Sequence, residues 1–396
     1  MGIVVQKYGG SSVADVDRLR GVARRIVDTW RAGHQVVAVV SAMGKTTDEL
    51  LTLARQVSPE PGRRELDMLV SVGERISMTL LCMAVAELGV ESISFTGSQS
   101  GIITDTSHFN ARIVEVRPYR LIEALRQGRV VVVAGYQGVS LEKEVTTLGR
   151  GGTDTTAVAL AAALQADYCE ICSDVDGVYT GDPRIIEDAS HIDSLGYDEM
   201  LALAGAGARV LAATAVAYAK RHGIVIHASS TFGDPQRFTR IEGVDPRPGP
   251  VAVTGDAGAV RLSWRGPREE LGAALAWCAE MGLLPRGLRV EAEGPDRVMS
   301  LWLRSRETPD LGKVEQEGRA RFGARFGIER HLGTVTLVGH QISDNPAFVA
   351  QAVAAVEALG VEVGEVSAEG SGLSLVVPQD AVTDAQVALH RLLQPR

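Results

Sequence analysis

An α/β sandwich with a mostly parallel sheet, followed by two ferredoxin-like α+β modules, is the architecture this sequence predicts. Three observations point to it. Strand-length apolar runs alternate with helix-like runs up to about Ser230, a turn-rich segment extends from Gly233 to Pro250, and beyond it one order of elements occurs twice. Ile3 to Gln6 opens a short buried strand over 3–8, and Val16, Leu19, Val22, Ala23, Ile26 and Trp30 then recur at helical spacing. Further strands are expected over 35–42, 91–96, 129–136, 167–174 and 223–229. Helices are expected between them, including a long one from about Glu65 to Leu88 and an alanine-rich one from Thr155 to Leu164. Prolines at 235, 246, 248 and 250 mark a linker, placed at 233–254, so the first domain is expected to span 1–232. Past the linker, Val260 to Arg265, Leu271 to Met281, Leu288 to Glu293, Val298 to Leu303 and Lys313 to Phe322 read as strand, helix, strand, strand, helix. Thr334 to Gly339, Ala347 to Leu359, Val361 to Ser367, Leu373 to Val377 and Val382 to Leu393 repeat that order, which places the modules at 255–330 and 331–396.

The composition narrows the function classes. With 396 residues, 45% hydrophobic and 22% charged, the chain can bury cores for two or three domains. A net charge of −9 argues against a nucleic-acid or membrane-surface role while leaving small anions admissible as partners. No apolar stretch reads as the ~18 residues of a membrane span, and the N-terminus lacks the layout of a secretion signal, so a cytoplasmic location is expected. Four cysteines make no disulfide framework. Cys169 and Cys172 form a C-x-x-C inside an expected strand, without a second Cys or His pair for zinc, and are read as buried thiols.

The chemistry is concentrated in two glycine-rich turns. Lys7-Tyr8-Gly9-Gly10-Ser11-Ser12 stands between the first strand and the first helix, where glycine permits close approach of the backbone to a ligand and a helix N-terminus offers free N–H groups. The lysine precedes the glycines, so this is not a Walker A loop, and taken alone the hexapeptide fits an ordinary tight turn as well. A second cluster, Thr146 to Asp154 with Arg150, Gly151, Gly152 and Thr153, follows the apolar run Val130 to Ala134 and precedes the alanine-rich helix. Two such turns can face one anion from two sides, the layout that phosphoryl transfer needs.

Six motifs then occur in order: KYGGSS at the start, VVSAMGKTTDEL from Val39, SVGE from Ser71, GIITD from Gly101, TLGRGGTD from Thr147 and SDVDGVYTGDPR from Ser173. With these the chain resembles the bacterial aspartate kinases of the amino acid kinase family over roughly its first 230 residues. The second half resembles the paired ACT modules that follow the kinase domain there. The resemblance implies ATP, with Mg²⁺ accompanying the nucleotide, and L-aspartate as partners, and a homodimer or hetero-oligomer formed through the ACT-like modules. It also implies that Val251 to Thr254 pairs with the second module. Lys7 would lie along the transferring phosphoryl group with Asp154 holding it, and Gly9, Gly10, Gly151, Gly152 and Thr153 would line the phosphates. Arg150 would clamp the α-carboxylate, Glu74 would receive the α-ammonium, and Ser41 and Thr47 would contact substrate carboxylates. Ser173, Asp174, Tyr179, Asp182 and Arg184 would line the nucleotide, with Arg209 near its phosphates. Read from the residues alone, Glu74 also fits a solvated helix position, Asp154 a helix N-cap, Ser41 and Thr47 a turn, and Arg184 an ordinary surface arginine.

A carboxylate acceptor is already ionised at neutral pH, so its phosphorylation needs no general base; it needs fixed positive charge between two anions. The implied reaction is transfer of the γ-phosphoryl group of ATP to the side chain of L-aspartate, giving 4-phospho-L-aspartate, the entry step to lysine, threonine and methionine. A catalytically weakened partner subunit and a sister kinase for another acidic amino acid are the alternatives. The chain departs from the family pattern at Ala202, at Ala212-Ala213-Thr214 and at Ala228, where polar residues are usual, which reads as a polar network replaced as a unit. In the ACT-like modules, Arg265 to Glu270 stands where the family often has a Pro-Asp-x-Pro-Gly-like turn, Ser343 to Ala347 keeps the proline but lacks the glycine that can follow, and Val366 to Gly372 is looser and richer in glycine than the family's strand. The expectation is that the modules mainly support dimerisation and that lysine or threonine inhibits weakly or not at all.

Overall fold

The computed structural model describes residues 2–245, 248–283, 285–306, 308 and 310–393; Pro246 of the expected linker lies outside them. Contacts divide the chain into one unit of Met1–Tyr179, His191–Ala204 and Arg209–Pro246, and a second of Thr180–Ser190, Gly205–Ala208 and Arg247–Arg396.

The first unit is built on an eight-stranded sheet. Its order is Ser194–Gly196, Phe238–Glu242, Ile226–Ser230, Tyr168–Ser173, Ile3–Tyr8, Gln35–Val40, Val130–Ala134, Ser92–Phe95. Every neighbouring pair is parallel except Ile226–Ser230 with Phe238–Glu242. The central strands are covered on both faces, which is why they read as unbroken apolar runs such as Val130 to Ala134. On one face, Leu19, Val22 and Ile26 of the Val16–Arg31 helix and Met78, Leu81 and Val85 of the Val72–Glu87 helix share a core with Val36, Ala38, Val40, Val130 and Val132. Strand side chains alternate, so Val39 points the other way. There it neighbours Thr153 of the Gly152–Leu164 helix, which packs against the Ile3–Tyr8, Gln35–Val40 and Tyr168–Ser173 strands. Cys169 and Cys172 are free and fully buried, and burial pushes the Cys172 thiol up to about 12.

Several expectations need correction. A second, four-stranded sheet of Ile113–Val116, Ile102–Thr104, Gln137–Ser140 and Val145–Thr147 is not among the expected elements, because its strands are only three or four residues long, too short to show a period of their own. The long helix begins at Arg63 and is divided at Ser71 into Arg63–Val70 and Val72–Glu87. By length and composition Arg63–Glu87 is apolar enough to cross a membrane, contrary to the sequence reading, yet it carries the buried Asp67 and Glu74 and supplies core residues to the sheet. The segment expected as linker contains the Phe238–Glu242 strand of the main sheet and the start of a long strand, Gly249–Pro267.

That long strand belongs to the second unit, whose six-stranded antiparallel sheet runs Gly287–Glu293, Asp296–Arg304, Gly249–Pro267, Phe326–His340, Gly372–Pro378, Glu365–Glu369. Ala252, Val253 and Thr254 pair with Val338, Leu337 and Thr336, so the strand opens beside the second module before it serves the first. Each module buries its own core. Trp264, Trp277, Phe322 and Phe326 pack with Leu262 and Leu301 in one. Leu337, Val356, Leu375, Val382 and Leu389 pack together in the other, where Ile186 from the Thr180–Ser190 segment joins them. Glu365–Glu369 starts four residues later than the expected strand from Val361.

Candidate active site

The first turn of the sequence and the second meet. Lys7, on the last part of the Ile3–Tyr8 strand, places Nζ 2.7 Å from Asp154 Oδ1. Asp154 lies in the first turn of the Gly152–Leu164 helix, and Gly151 in the left-handed conformation is the residue that caps it. Asp154 is therefore not the N-cap. Its second oxygen accepts instead from the Ala212 backbone N–H at 3.3 Å. The turn after Lys7 runs against the end of the neighbouring strand so closely that a Cβ on Gly10 would sit 2.9 Å from the Ala42 carbonyl oxygen. Only glycine fits that approach.

Glu74 stands in the first turn of the Val72–Glu87 helix and is 3% exposed. Gly73 lets this helix close on the Ser41–Ala42 segment, since a Cβ there would meet the Ala42 Cβ at 2.7 Å. Glu74 Oε1 accepts from the Ala42 N–H at 3.0 Å, while Oε2 is buried without a hydrogen-bond partner. Burial pushes the carboxyl up to about 7, against backbone N–H groups that favour the charged form. An orphaned, buried carboxylate oxygen suits a cationic ligand group. Ser41 Oγ donates to Thr153 Oγ1 at 2.9 Å, and Ser77 Oγ donates to the Ser41 carbonyl at 2.7 Å, so Glu74, Ser41, Thr153, Asp154 and Lys7 form one connected surface.

Arg150 is exposed on the turn between the Val145–Thr147 strand and the Gly152–Leu164 helix. Its charge and that of Glu74 both reach Tyr136, whose phenol is raised chiefly by burial, with Glu74 adding to the rise and Arg150 opposing it. Thr47 is half-buried near the start of the Thr46–Val57 helix. Ser173 Oγ turns back onto Val175, and Asp174 is exposed beside it. The Tyr179 hydroxyl donates to Asp176 Oδ1 at 2.9 Å and accepts from Arg237, which also pairs with Asp176 at 2.8 Å. Arg209 is exposed. Asp182 and Arg184 belong to the second unit, where they make a local pair: both the N–H and the guanidinium of Arg184 donate to Asp182 at 2.7 to 2.9 Å. Of the departures from the family pattern, Thr214 is exposed, Ala202, Ala212 and Ala213 are half-buried and Ala228 is buried. Ala212 lies where a Cβ on Gly151 would fall, 2.4 Å from its own Cβ. Ala228 is 2% exposed, and near it Arg25 from the first helix pairs with Glu170 at 2.6 Å and donates to the Ser230 and Thr231 carbonyls.

Comparison with known proteins fits this geometry. Residues 2–228 match the model of the amino acid kinase family. The aspartokinase of Mycolicibacterium smegmatis is 42% identical over 411 residues, covering 98% of this chain and 96% of that one. The chain belongs to the aspartokinases of the amino acid kinase family. The Corynebacterium glutamicum aspartokinase is 41% identical over 409 residues, covering 100% of this chain and 96% of that one. Among solved structures, Escherichia coli aspartokinase III in complex with aspartate and ADP shares the fold, with a TM-score of 0.85 at 22% identity, 99% of this chain and 100% of that one. Aspartate kinase from Synechocystis is 34% identical with a TM-score of 0.57, covering 98% of this chain and 69% of that one.

Two residues of this site escaped the sequence reading. Tyr136 takes a left-handed φ of +67° at the end of the Val130–Ala134 strand, and Asp67 is wholly buried in the Arg63–Val70 helix. The signal for Asp67 was present: it stands seven residues before Glu74, on the helix face that continues into the core.

Proposed function

We propose that this protein is an ATP-dependent aspartate kinase, transferring the γ-phosphoryl group to the β-carboxylate of L-aspartate. The observation that carries the proposal is the connected surface of Lys7, Asp154, Ser41 and Glu74, with fixed positive charge at one end and an unpartnered buried carboxylate oxygen at the other. Full-length similarity to aspartokinases supports it.

Binding comes first. Glu74 Oε2 accepts the substrate's α-ammonium, and removing that buried oxygen from its orphaned state favours the ionised carboxylate. Arg150 takes the α-carboxylate in a two-pronged grip, and Ser41 and Thr47 turn the side-chain carboxylate toward the nucleotide. The Gly9–Gly10 and Gly151–Gly152 turns present backbone N–H groups to the phosphates, and Arg209 adds charge there. Ser173, Asp174 and Tyr179 line the rest of the nucleotide site. One carboxylate oxygen then attacks the γ-phosphorus in line, the bond to the bridging oxygen breaks, and ADP leaves. No proton is removed, because the nucleophile is already an anion. Lys7, held by Asp154, stays beside the transferring group and offsets charge that accumulates on its oxygens. Mg²⁺ would accompany the nucleotide and neutralise its phosphates; among the described residues no group of three or more His, Cys, Asp or Glu is placed to hold a metal ion. The ACT-like modules are proposed to join subunits into a dimer or hetero-oligomer, and the protein is proposed to act in the cytoplasm.

Steady-state ADP release with L-aspartate, L-glutamate and succinate tests the reading. Turnover that depends on L-aspartate is expected, with succinate, which lacks the ammonium that Glu74 receives, a poor acceptor. ADP release indifferent to all three would refute it.

A further inference from the structure

We infer that Asp67 is a positioning residue for amino-acid binding: its buried carboxylate fixes the turn that carries Arg150 relative to the helix that carries Glu74. The inference rests on the roles of Arg150 and Glu74 proposed above, and it concerns the distance at which the two ends of one amino acid are gripped.

Asp67 is 0% exposed, and every group that faces its carboxylate brings a hydrogen. Thr147 Oγ1 donates to Oδ1 at 2.5 Å, the Phe109 N–H points at both oxygens at 3.1 Å, and His108 Nδ1 lies 2.7 Å from Oδ2. An acceptor-only carboxylate satisfies all of these together. Thr147 ends the strand that leads directly into Gly149 and Arg150. The His108–Asn110 segment forms the other wall of that turn, since a Cβ on Gly149 would sit 2.8 Å from Asn110 Oδ1 and 3.5 Å from the Phe109 carbonyl oxygen. The Ala111 N–H donates to the Thr147 carbonyl at 2.8 Å, which ties the two walls to each other. Phe109 adopts a φ of +68°, a conformation that costs a non-glycine residue energy and persists where surroundings hold it. Asp67 therefore grips the Arg150 turn from two sides.

The same residue is rigidly linked to Glu74. The Ser71 N–H donates to the Asp67 carbonyl at 3.1 Å, and the Ser71 carbonyl accepts from Gln137 Nε2 at 2.9 Å, so the junction between the two helical pieces is fixed to the second sheet. Arg150 is a long, exposed side chain whose aim is set by its turn. Without the carboxylate, the buried Thr147 hydroxyl and the half-buried donors of Phe109 and His108 lose a partner, and the walls must move to find others. A displacement of about 1 Å in a substrate-positioning element costs up to about a hundredfold in catalytic efficiency. The loss should fall mainly on aspartate, because the contacts act on Thr147 and Gly149 ahead of Arg150, whereas Gly151 and Gly152, proposed to face the phosphates, are anchored in the Gly152–Leu164 helix by the Thr155 and Thr156 hydroxyls on their carbonyls.

Kinetics of the wild type, D67N, T147V and T147S, with each substrate varied at saturating co-substrate, test this. The increase in Tm caused by aspartate or by ATP gives a second readout that does not depend on turnover. D67N and T147V are expected to raise the KM for aspartate about tenfold or more, with the KM for ATP within about twofold of wild type. T147S, which keeps the hydroxyl, is expected to retain the wild-type value, and only the aspartate-induced Tm shift should shrink in D67N. An unchanged aspartate KM in D67N, a parallel rise in both KM values, or a fall in kcat alone would overturn the inference. If D67N does not fold, T147V against T147S decides, and equal aspartate KM values overturn it. A wild-type protein without aspartate-dependent turnover refutes the functional reading and this inference with it; an active wild type whose variants keep their KM refutes this inference alone.

Discussion

Lys7 Nζ and Asp154 Oδ1 lie 2.7 Å apart where the end of the first strand meets the first turn of the Gly152–Leu164 helix. The carboxylate keeps a flexible lysine in one place, and its other oxygen ties the same point to Ala212. A fixed cation at a phosphoryl-transfer site needs no reorganisation when charge develops, and that is where its rate effect arises.

Replacing Lys7 by Ala should lower kcat by about two to three orders of magnitude, with far-UV circular dichroism and Tm close to wild type. The KM values should change much less. A K7A protein with near wild-type kcat would show that Lys7 does not face the transferring group.

Glu74 gives the protein a pH signature. Its folded pKa is raised to about 7 from an ordinary value of 4.5, chiefly by burial, so the ligand-free protein holds a proton there that the unfolded chain releases. The stability this proton contributes is fully present below about 4.5 and lost as pH rises through about 7. Stability should therefore decline across that window and flatten above it, whereas E74Q should lack this component and be more stable than wild type at pH 8. Binding runs the other way: the ionised form receives an ammonium, so the KM for aspartate should fall as pH rises from 6 to 8. E74Q should show a high KM without that trend. Denaturation and initial rates across pH check both halves, and a flat aspartate KM in the wild type would contradict the role.

Gly151 combines a φ of +74° with a site where a Cβ would fall 2.4 Å from the Ala212 Cβ. Gly151→Ala should destabilise by roughly 1–2 kcal/mol from backbone strain alone, with crowding added to it. Because the same turn carries Arg150 and opens the helix of Asp154, activity should fall as well. Urea denaturation and turnover measured on one preparation check this.

Arg150→Lys keeps the charge and removes the planar fork. The KM for aspartate should rise several-fold with kcat changed less, since a point charge cannot make two parallel bonds to a carboxylate. An unchanged dependence on aspartate would remove Arg150 from the clamp.

The sequence showed its parallel strands plainly, because residues 36–40 and the Val130–Ala134 strand are covered on both faces and are apolar throughout. The small sheet around Gln137–Ser140 and Val145–Thr147 was hidden for the opposite reason: its buried Thr146 and Thr147 are satisfied by hydrogen bonds to Thr104 and Asp67, and no hydrophobic period marks it. At the site, Lys7, Glu74 and Asp154 stand in motifs whose glycines announce close approach. Asp67 stands in none, since its partners come from Phe109, His108 and Thr147, brought together only by the fold. The helix break at Ser71 has no signal in the sequence, because Ser71 keeps nearly helical angles. Val251 to Thr254 was placed beside the second module by resemblance rather than by any local pattern.

The most direct test of the central claim is to trap the product. Incubation with ATP, Mg²⁺ and L-aspartate in the presence of hydroxylamine should give aspartyl β-hydroxamate in step with ADP, little or none with succinate or without ATP, and almost none with K7A. ADP formation from L-aspartate without hydroxamate, or hydroxamate formed equally well by K7A, would contradict it.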